Sequence, residues 1–350
     1  MARLADAVVT GLGPAGATAA LLLARAGWHV LGVDNATADD QRCEILTPWA
    51  VEQLDQLLGP GALTDAPACL GTRTQWGSGQ MAAQDYWAAA FGHGRMIWRQ
   101  ALDRALKAAL SAAGVTLLRD RVRALVTDDS GVGLRVLLTA DAPPLRARHA
   151  LLATGRAPLP VAPGPRRPVR QYGDRLIADR ALLSAAAPGS APMAYLHMAA
   201  TPDGWIYAHA TPDGGRMIGR LGDSRHALPP PPGDAAWAAR TPLGLAPAQT
   251  YWTDGARGPG WCAIGDALWA GDPLAGDGIG RALAMGADAA TAMLTPVDKG
   301  ARDAACACFI RRQQSAHRAF EQARFGAYAV EGRWPQRPFW RARIRPRRFA

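Results

Sequence analysis

The sequence is poor in cysteine and has no long apolar run. Its five cysteines are scattered through 350 residues without a Cys-x-x-Cys pair, so they predict neither a disulfide framework nor a zinc site. We expect no metal centre. No apolar stretch reaches the ~18 residues that a membrane-spanning helix needs. These absences predict a cytoplasmic protein that does not act at a membrane.

Lysine is scarcer still. Lys107 and Lys299 are the two lysines, so 39 basic residues less two leaves 37 arginines, and the net charge is +10. With abundant alanine, glycine and proline, this skew indicates a GC-rich genome rather than a selected basic surface. The charge comes without a recognised nucleic-acid-binding module, so we expect no nucleic-acid partner. The apolar fraction of 49% is sufficient for a substantial core.

The amino-terminal residues predict a βαβ unit. Ala7 to Thr10 and Trp28 to Val33 are apolar runs typical of strands, and Ala17 to Ala26 between them is typical of a buried helix. The second strand ends at Asp34. This order predicts the start of an α/β fold.

The turn after the first strand carries a Gly-x-Gly-x-x-Gly pattern. Gly11 permits the tight turn, Gly13 lets a pyrophosphate approach the backbone, and Gly16 lets helix pack on strand. The free amides of the helix then face the phosphates. Asp34 is placed to accept a hydrogen bond from a ribose hydroxyl. The pattern predicts dinucleotide binding but does not choose between FAD and a nicotinamide.

Beyond this unit the pattern mixes helices and strands. Two Thr-Pro-Asp-Gly turns, at 201–204 and 211–214, separate three strand candidates and predict a β-meander. The predicted helices span 98–113, 279–292 and 306–328, and the predicted strands span 115–118, 121–127, 133–139, 149–153, 193–198, 205–210, 216–221 and 261–264.

A distal segment identifies the cofactor by resemblance. Gly265-Asp266 and the later Asp272-Pro273-Leu-Ala-Gly276-Asp-Gly278-Ile279 resemble segments of the flavoprotein monooxygenases of the p-hydroxybenzoate hydroxylase type, in the branch that includes flavin-dependent halogenases. The resemblance implies that Asp266 binds the ribityl chain of FAD. It also implies that the helix after Gly276 points its amides at the flavin pyrimidine, where such a terminus favours negative charge.

Further matches follow in family order. Arg42 lies in a segment similar to the family's Arg-x-Gly-Glu-x-Leu-x-Pro, with Cys43 in place of the usual glycine. Arg99 matches an arginine that contacts FAD, and Val122 matches a valine that faces the adenine. Gly155 ends an Ala-x-Gly strand terminus. The FAD-binding residues implied are Gly11, Gly13, Ala15, Gly16, Asp34, Arg42, Arg99, Val122, Gly155, Gly265, Asp266, Pro273, Gly276, Gly278 and Ile279.

The same resemblance implies the domain plan. We expect a Rossmann-like FAD-binding domain with an inserted antiparallel β-sheet substrate domain. The FAD-binding domain is discontinuous, the substrate domain occupies two segments, and a carboxyl-terminal helix with a basic tail follows. The expected FAD-binding domain spans 1–72, 98–165 and 255–300. The expected substrate domain spans 73–97 and 166–254, and the helix with its basic tail spans 301–350.

Halogenases of this branch place a lysine beside the flavin and carry a Trp-x-Trp-x-Ile-Pro segment. The equivalent stretch here is Trp205-Ile-Tyr207-Ala-His209-Ala210, and the segment from Gly71 to Trp87 contains no lysine. Halogenation is therefore the less favoured alternative. The Arg-Trp-Pro ending near Arg333 and the Gly-Arg-Met-Ile-Trp-Arg segment at 94–99 resemble the flavoproteins of tryptophylquinone cofactor biogenesis, which act on a tryptophan of a partner polypeptide.

Trp205, Tyr207 and His209 alternate along a predicted strand and so share one face. One interpretation is an aromatic wall over the flavin with His209 as acid or base for a phenol or indole. The other interpretation is an ordinary packed sheet surface.

Asp277 is expected only to cap the following helix. The tail arginines are expected either to steer an acidic partner or to remain solvated.

The resemblance implies an FAD-dependent monooxygenase that hydroxylates an electron-rich aromatic through a flavin C4a-hydroperoxide formed with O2. The substrate is either a small aromatic molecule or a tryptophan of a partner polypeptide. No second Gly-x-Gly-x-x-Gly is present, so NAD(P)H binds transiently or a partner flavin reductase supplies electrons. The alternatives are a halogenase, an oxygen-independent flavin reductase or dehydrogenase of the same fold, and a flavin-bearing maturation partner with little turnover.

Overall fold

The computed structural model gives the chain an α/β architecture. The described residues are 4–35, 40–63, 65–86, 91–127, 133–139, 143–161, 168–184, 193–224, 228, 240–295 and 299–344. Several sequence features lie outside them, among them the Asp128-Asp129 turn, the prolines at 229–232, Trp87 and the last tail arginines. Within these residues no helix is long and apolar enough to cross a membrane.

The described strands are numbered in chain order. They are β1 (Ala5–Thr10), β2 (Val30–Asp34), β3 (Cys43–Leu46), β4 (Ala68–Cys69), β5 (Gly71–Gln75), β6 (Met81–Asp85), β7 (Gly94–Trp98), β8 (Thr116–Arg119), β9 (Val122–Thr127), β10 (Leu134–Leu138), β11 (Leu145–Leu152), β12 (Val169–Tyr172), β13 (Ile177–Leu183), β14 (Tyr195–Thr201), β15 (Gly204–Ala210), β16 (Arg216–Gly222), β17 (Thr241–Pro247), β18 (Tyr251–Asp254), β19 (Arg257–Gly258), β20 (Trp261–Ala263) and β21 (Trp269–Ala270).

The described helices are numbered in the same way. They are α1 (Pro14–Arg25), α2 (Pro48–Leu58), α3 (Arg99–Ala112), α4 (Gly278–Leu294), α5 (Lys299–Ala329) and α6 (Pro338–Arg341). Two short 3-10 turns, Gly265–Ala267 and Pro273–Ala275, follow β20 and β21.

The first layer is an eight-stranded sheet with strand order β19-β20-β11-β1-β2-β8, to which β10 and β9 are added through β11. β1 pairs in parallel with both β2 and β11, and β20 extends the parallel part. The βαβ unit predicted from the first 34 residues is therefore confirmed. α1 is buried along most of its length, and it packs against α4 because Gly286 lets the two backbones approach.

The boundaries of this unit differ from the sequence prediction by a few residues. α1 begins at Pro14 rather than Ala17, since proline is well suited to the first turn of a helix. β2 begins at Val30 rather than Trp28. The Trp28 amide donates to the Leu23 carbonyl at 3.1 Å and Gly27 has φ of +87°, so these residues form a helix-ending turn.

The second layer is a seven-stranded sheet with strand order β17-β13-β16-β15-β14-β5-β6. The Thr-Pro-Asp-Gly turns join β14 to β15 and β15 to β16, which confirms the predicted meander. The sheet is antiparallel except that β5 pairs in parallel with β14. Strand β5 comes from the early segment between β4 and β6, so distant parts of the chain build one sheet. Two three-stranded sheets, β3-β7-β4 and β12-β18-β21, complete the fold.

The carboxyl-terminal segment packs on the second layer. α5 begins at Lys299, seven residues before the predicted start at Cys306, and α6 follows it. Trp340 is fully buried in a cluster with Trp205 and Tyr328. Arg343 is also buried and pairs with Asp223 at 2.6 Å. Arg343 therefore fits neither expectation for the tail arginines: its guanidinium is buried inside the fold, where it neither meets solvent nor is available to steer a partner.

Candidate active site

A cavity of about 600 Å³ lies between the glycine loops of the first sheet and one face of the second sheet. Most of the residues expected to bind FAD line it, and so do all three residues expected on the aromatic wall. The lining set is Gly13, Ala15, Gly16, Arg42, Arg99, Gly155, Gly265, Asp266, Pro273, Gly276, Gly278 and Ile279, with Trp205, Tyr207 and His209. Segments from both ends of the chain therefore meet at one site.

The loop between β1 and α1 has little room for side chains. Gly11 has φ of +85°, and a Cβ there would come within 2.3 Å of the Ala153 carbonyl oxygen. A Cβ on Gly16 would come within 1.9 Å of the Gly11 carbonyl oxygen. Both positions therefore require glycine for the fold itself. At Gly13 a Cβ would lie 3.3 Å from Nη2 of Arg99, so that glycine keeps open the space beneath the arginine.

Two helix amino-termini face the cavity. α1 begins after Gly13 without a side-chain cap, which leaves the first-turn amides available to a ligand. α4 begins after the pair Gly276 and Asp277, and Gly276 has φ of +63°. The expectation that Asp277 caps α4 is wrong, since its side chain makes no capping hydrogen bond. Its Oδ1 is buried without a hydrogen-bond partner among the described residues, and burial raises the pKa of this carboxyl.

β3 and β7 bring two arginines to the rim of the glycine loop. The strands pair antiparallel, and the Arg99 amide donates to the Arg42 carbonyl at 2.8 Å. Oε1 of Glu44 lies 3.7 Å from Nη1 of Arg42 and 3.6 Å from Nη1 of Arg99. Cys43, which replaces the family glycine, is buried, and burial raises the pKa of its thiol. The cysteine is therefore accommodated inside a regular strand.

The predicted ribose and adenine contacts lie away from the cavity lining. Asp34 ends β2, and its Oδ2 lies 3.2 Å from Nζ of Lys107 in α3. Val122 begins β9 and is mostly buried. Both assignments remain predictions. No lysine of the described part of the chain lines the cavity, and Lys107 is engaged with Asp34.

The Gly265-Asp266 pair lies beside the first glycine loop. A Cβ on Gly265, whose φ is +62°, would come within 2.9 Å of the Ala15 Cβ. Oδ2 of Asp266 lies 3.5 Å from Nε of Arg156, and its Oδ1 lies 3.8 Å from Nη2 of Arg281. The carboxylate is thus held at the cavity edge between two cations, where it can accept hydrogen bonds from a polyol.

β15 supplies an aromatic wall on the opposite side. Trp205 and His209 are buried, and the rings of Tyr207 and His209 are nearly parallel, with centroids 6.1 Å apart. The Tyr207 ring lies over Gly219 of β16, where a Cβ would come within 1.9 Å of its Cε1. A residue larger than glycine on the neighbouring strand would displace the tyrosine.

The titratable groups of this wall are neutral near pH 7. Burial lowers the pKa of His209 below its usual 6.5, and burial raises the pKa of Tyr207 to about 12. Nδ1 of His209 lies 2.8 Å from the Ala210 carbonyl oxygen, which assigns the proton to Nδ1. Nε2 is then free to accept a proton, while the tyrosine hydroxyl can donate one.

Sequence reasoning missed a polar network behind the wall. Oδ2 of Asp272 accepts hydrogen bonds from Nε of Arg324 at 2.9 Å and from the Tyr328 hydroxyl at 3.0 Å. Its Oδ1 accepts from the Leu274 amide at 2.9 Å and so orders the turn before Gly276. The spacing of Arg324 and Tyr328, four residues apart on one helix, is the only sequence signal for this network. The partners of these residues could not be read from it.

Sequence reasoning also missed Arg180 of β13, which lines the cavity on the face that carries Tyr207. Its position in an unpredicted strand gave no signal.

Known proteins resemble this chain in sequence and in fold. No protein-family model matches the chain. It is 31% identical over 323 residues to menaquinone reductase of Mycobacterium tuberculosis, covering 81% of this chain and 74% of that protein. Among solved structures it is similar to QhpG, a peptidyl tryptophan dihydroxylase essential for tryptophylquinone cofactor biogenesis. The two structures superpose with a TM-score of 0.77 and 26% sequence identity, over 98% of this chain and 79% of that one.

The fold is also that of CmlS, a flavin-dependent halogenase, with a TM-score of 0.81, 19% identity, and coverage of 99% of this chain and 69% of that one. The resemblance predicted from the glycine loops and the Asp-Pro segment is confirmed. The chain belongs to the family of FAD-dependent oxidoreductases that have the flavoprotein monooxygenase and halogenase fold.

Proposed function

We propose that this oxidoreductase is a monooxygenase that hydroxylates an electron-rich aromatic ring, and that the ring is a tryptophan side chain of a partner polypeptide. The observation that carries the proposal is the single cavity that joins the two glycine-lined loops to the wall of Trp205, Tyr207 and His209. The 26% identity with a peptidyl tryptophan dihydroxylase supports the choice of substrate. A small aromatic molecule is the other form that the substrate can take.

The residues of the cavity fit FAD. Gly13 and the α1 amino-terminus, with Arg99 above them, form a cradle for a pyrophosphate. Asp266 would accept hydrogen bonds from the ribityl chain, and the α4 amino-terminus would face the flavin pyrimidine. When bound, FAD supplies the redox chemistry and the activation of O2. The electron source we propose is NAD(P)H binding transiently or a partner flavin reductase.

His209 and Tyr207 perform the proton chemistry in this proposal. Nε2 of neutral His209 accepts a hydrogen bond from an indole N–H, or takes the proton of a phenol hydroxyl as oxygen is transferred, and either interaction raises the electron density of the ring. The Tyr207 hydroxyl stays protonated and orients a polar group of the substrate by hydrogen bonding. Their stacked rings hold both groups in one orientation.

Water exclusion is the task of the aromatic residues at the base of the wall. Trp205 is buried, and the ring centroid of Trp76 lies 6.4 Å from that of Trp205. The ring centroids of Tyr328 and Trp340 lie 5.9 and 5.3 Å from that of Trp76. A dry, rigid wall protects reactive oxygen species formed in the cavity from decay. Ala178 and Leu221 extend the apolar surface on neighbouring strands.

The test uses purified holoenzyme, a flavin reductase with NADH, and isotopically labelled O2. We expect a yellow protein that incorporates one or two labelled oxygen atoms into a tryptophan of a short polypeptide or into a free indole. Product mass and O2 uptake are measured together. Reoxidation of the flavin without any labelled product from either substrate class would contradict the proposal.

A second candidate is a flavin reductase that does not use oxygen. The observation that favours it is the 31% identity with menaquinone reductase over 323 residues. An anaerobic assay separates the two functions. Turnover of a quinone with reduced holoenzyme in the absence of O2 supports the reductase, whereas a strict requirement for O2 supports the monooxygenase.

A further inference from the structure

Five arginines of the described residues line the cavity, and four of them have a carboxylate within 4.0 Å. Arg42 and Arg99 share Glu44, while Arg156 and Arg281 share Asp266. The fifth is Arg180, which has no carboxylate within that distance among the described residues. Its Nε is buried and has no hydrogen-bond partner there. Arg180 is therefore the cavity arginine that has no ion-pair partner among the described residues.

The sheet keeps space open on one side of Arg180. Its cross-strand neighbours are Gly219 in β16 and Gly244 in β17. The Tyr207 ring covers Gly219, whereas a Cβ on Gly244 would meet nothing within 4 Å. The adjacent residue Asp179 pairs with Arg220 instead. Because successive residues of a strand point to opposite faces, Asp179 cannot serve as the partner of Arg180.

An unpaired cation in a partly buried position is unfavourable unless a ligand supplies the opposite charge. Guanidinium groups suit carboxylates because they form two parallel hydrogen bonds with them. Tyr207, whose ring lies over Gly219, shares this face of the sheet with Arg180, so the anion would lie beside the aromatic wall. The pyrophosphate cradle has its own cation, Arg99, which lies beside Gly13.

We propose that Arg180 binds a carboxylate of the substrate, so that the enzyme selects aromatic compounds that bear a negative charge. The inference rests on the proposed function and narrows its substrate class. The carboxylate belongs either to a free aromatic acid or to an acidic side chain beside the reacting tryptophan of a polypeptide.

Two matched pairs of probes test the inference by calorimetric titration of the FAD-loaded protein. The first pair is indole-3-acetate and indole-3-acetamide. The second is a tryptophan peptide with a neighbouring aspartate and the same peptide with asparagine. We expect the charged member of at least one pair to bind about 10- to 100-fold more tightly than its neutral partner, as for a charge-assisted hydrogen bond. The pair that shows the preference identifies the source of the carboxylate.

Arg180→Met is the decisive variant. It should abolish the preference for the charged probe while FAD content and the flavin spectrum stay unchanged. Arg175→Met removes an exposed arginine just before the same strand and should keep the preference. Equal binding of charged and neutral probes in both pairs, or a preference that survives in Arg180→Met, would overturn the inference. Loss of FAD from Arg180→Met would also overturn it, because the arginine would then serve the cofactor.

The result is separable from the proposed reaction, since the titrations require no turnover. A carboxylate preference without oxygen incorporation would keep the anion site and remove the monooxygenase. Oxygen incorporation into neutral aromatics, with no preference for acids, would do the opposite.

Discussion

The indole Nε1 of Trp205 donates a hydrogen bond to the hydroxyl of Tyr328 at 3.0 Å, and both side chains are fully buried. The Tyr328 hydroxyl in turn donates to Oδ2 of Asp272 at 3.0 Å. Burial raises the pKa of Tyr328 well above its usual value, so the hydroxyl keeps its proton. The carboxyl-terminal helix thereby connects the aromatic wall to the turn that precedes α4.

Replacing this tyrosine tests the connection. Tyr328→Phe keeps the ring and removes the hydroxyl, which leaves Nε1 of Trp205 without its acceptor. We expect the free energy of unfolding to fall by about 1–3 kcal/mol, the cost of an unsatisfied buried polar group. Urea unfolding of the apoprotein measures it. Tyr172→Phe, at an exposed tyrosine, is the matched control and should unfold like the wild type. Equal effects of the two substitutions would contradict the prediction.

The glycine loop offers a substitution that separates cofactor binding from folding. In Gly13→Ala the new Cβ would meet only the far end of Arg99, at 3.3 Å, so the apoprotein should fold normally. The methyl group nevertheless occupies the close approach that a pyrophosphate needs. We expect the affinity for FAD to fall at least about tenfold, measured by flavin fluorescence titration.

Gly326→Ala is the control for that experiment, since a Cβ there meets nothing within 4 Å and the residue lies in α5. It should bind FAD as the wild type does. A Gly13→Ala protein with wild-type affinity would show that the pyrophosphate does not lie at this loop.

Arg343 tests whether the carboxyl-terminal arginines are part of the fold. Its Nη2 lies 2.6 Å from Oδ1 of Asp223 and 3.6 Å from Oδ2 of Asp174, and its guanidinium lies 3.9 Å from the Phe339 ring centroid. Arg343→Met leaves Asp223 without its partner, while Asp174 keeps Arg324, so we expect a loss of about 1–3 kcal/mol in unfolding free energy. Arg341→Met, at an exposed position of α6, should change it little. Similar urea midpoints for the two variants would assign both arginines to the surface.

The parts of the site that could be predicted from sequence are those with local steric causes. Gly11 and Gly16 are required by backbone atoms that lie within 2.3 Å of a hypothetical Cβ, and such requirements leave a fixed spacing in the sequence. The β14-β15-β16 meander was predictable for a similar reason, because each Thr-Pro-Asp-Gly turn specifies its own hairpin. The alternation of Trp205, Tyr207 and His209 then placed the three side chains on one face.

The parts that escaped prediction depend on contacts between distant segments. Arg324 pairs with Asp174, 150 residues away, and with Asp272. β5 joins the second sheet only because β14 lies beside it, and β13 shows no strong alternation that would mark Arg180. α5 as a whole is weakly amphipathic, so local pattern did not mark where it begins, and it packs against α4. No local pattern encodes these pairings.

His209 provides the prediction that bears most directly on the chemistry. Its side chain is buried in the wall, and burial lowers its pKa below the usual 6.5, so the imidazole is neutral at pH 7 and able to accept a proton. The rate of wild-type hydroxylation should therefore decline only at a pH below the range in which an ordinary imidazole becomes protonated. His209→Asn should lower kcat by about 10²- to 10⁴-fold and remove this acid limb, while FAD binding is retained.

His197→Asn, on the neighbouring strand β14 and away from the cavity lining, is the matched control and should keep both the rate and the acid limb. Steady-state rates across the pH range decide between these outcomes. An acid limb that persists in His209→Asn would assign the proton acceptor to another group, and the half-buried Asp277 carboxyl, whose pKa is raised by burial, would be the next to test.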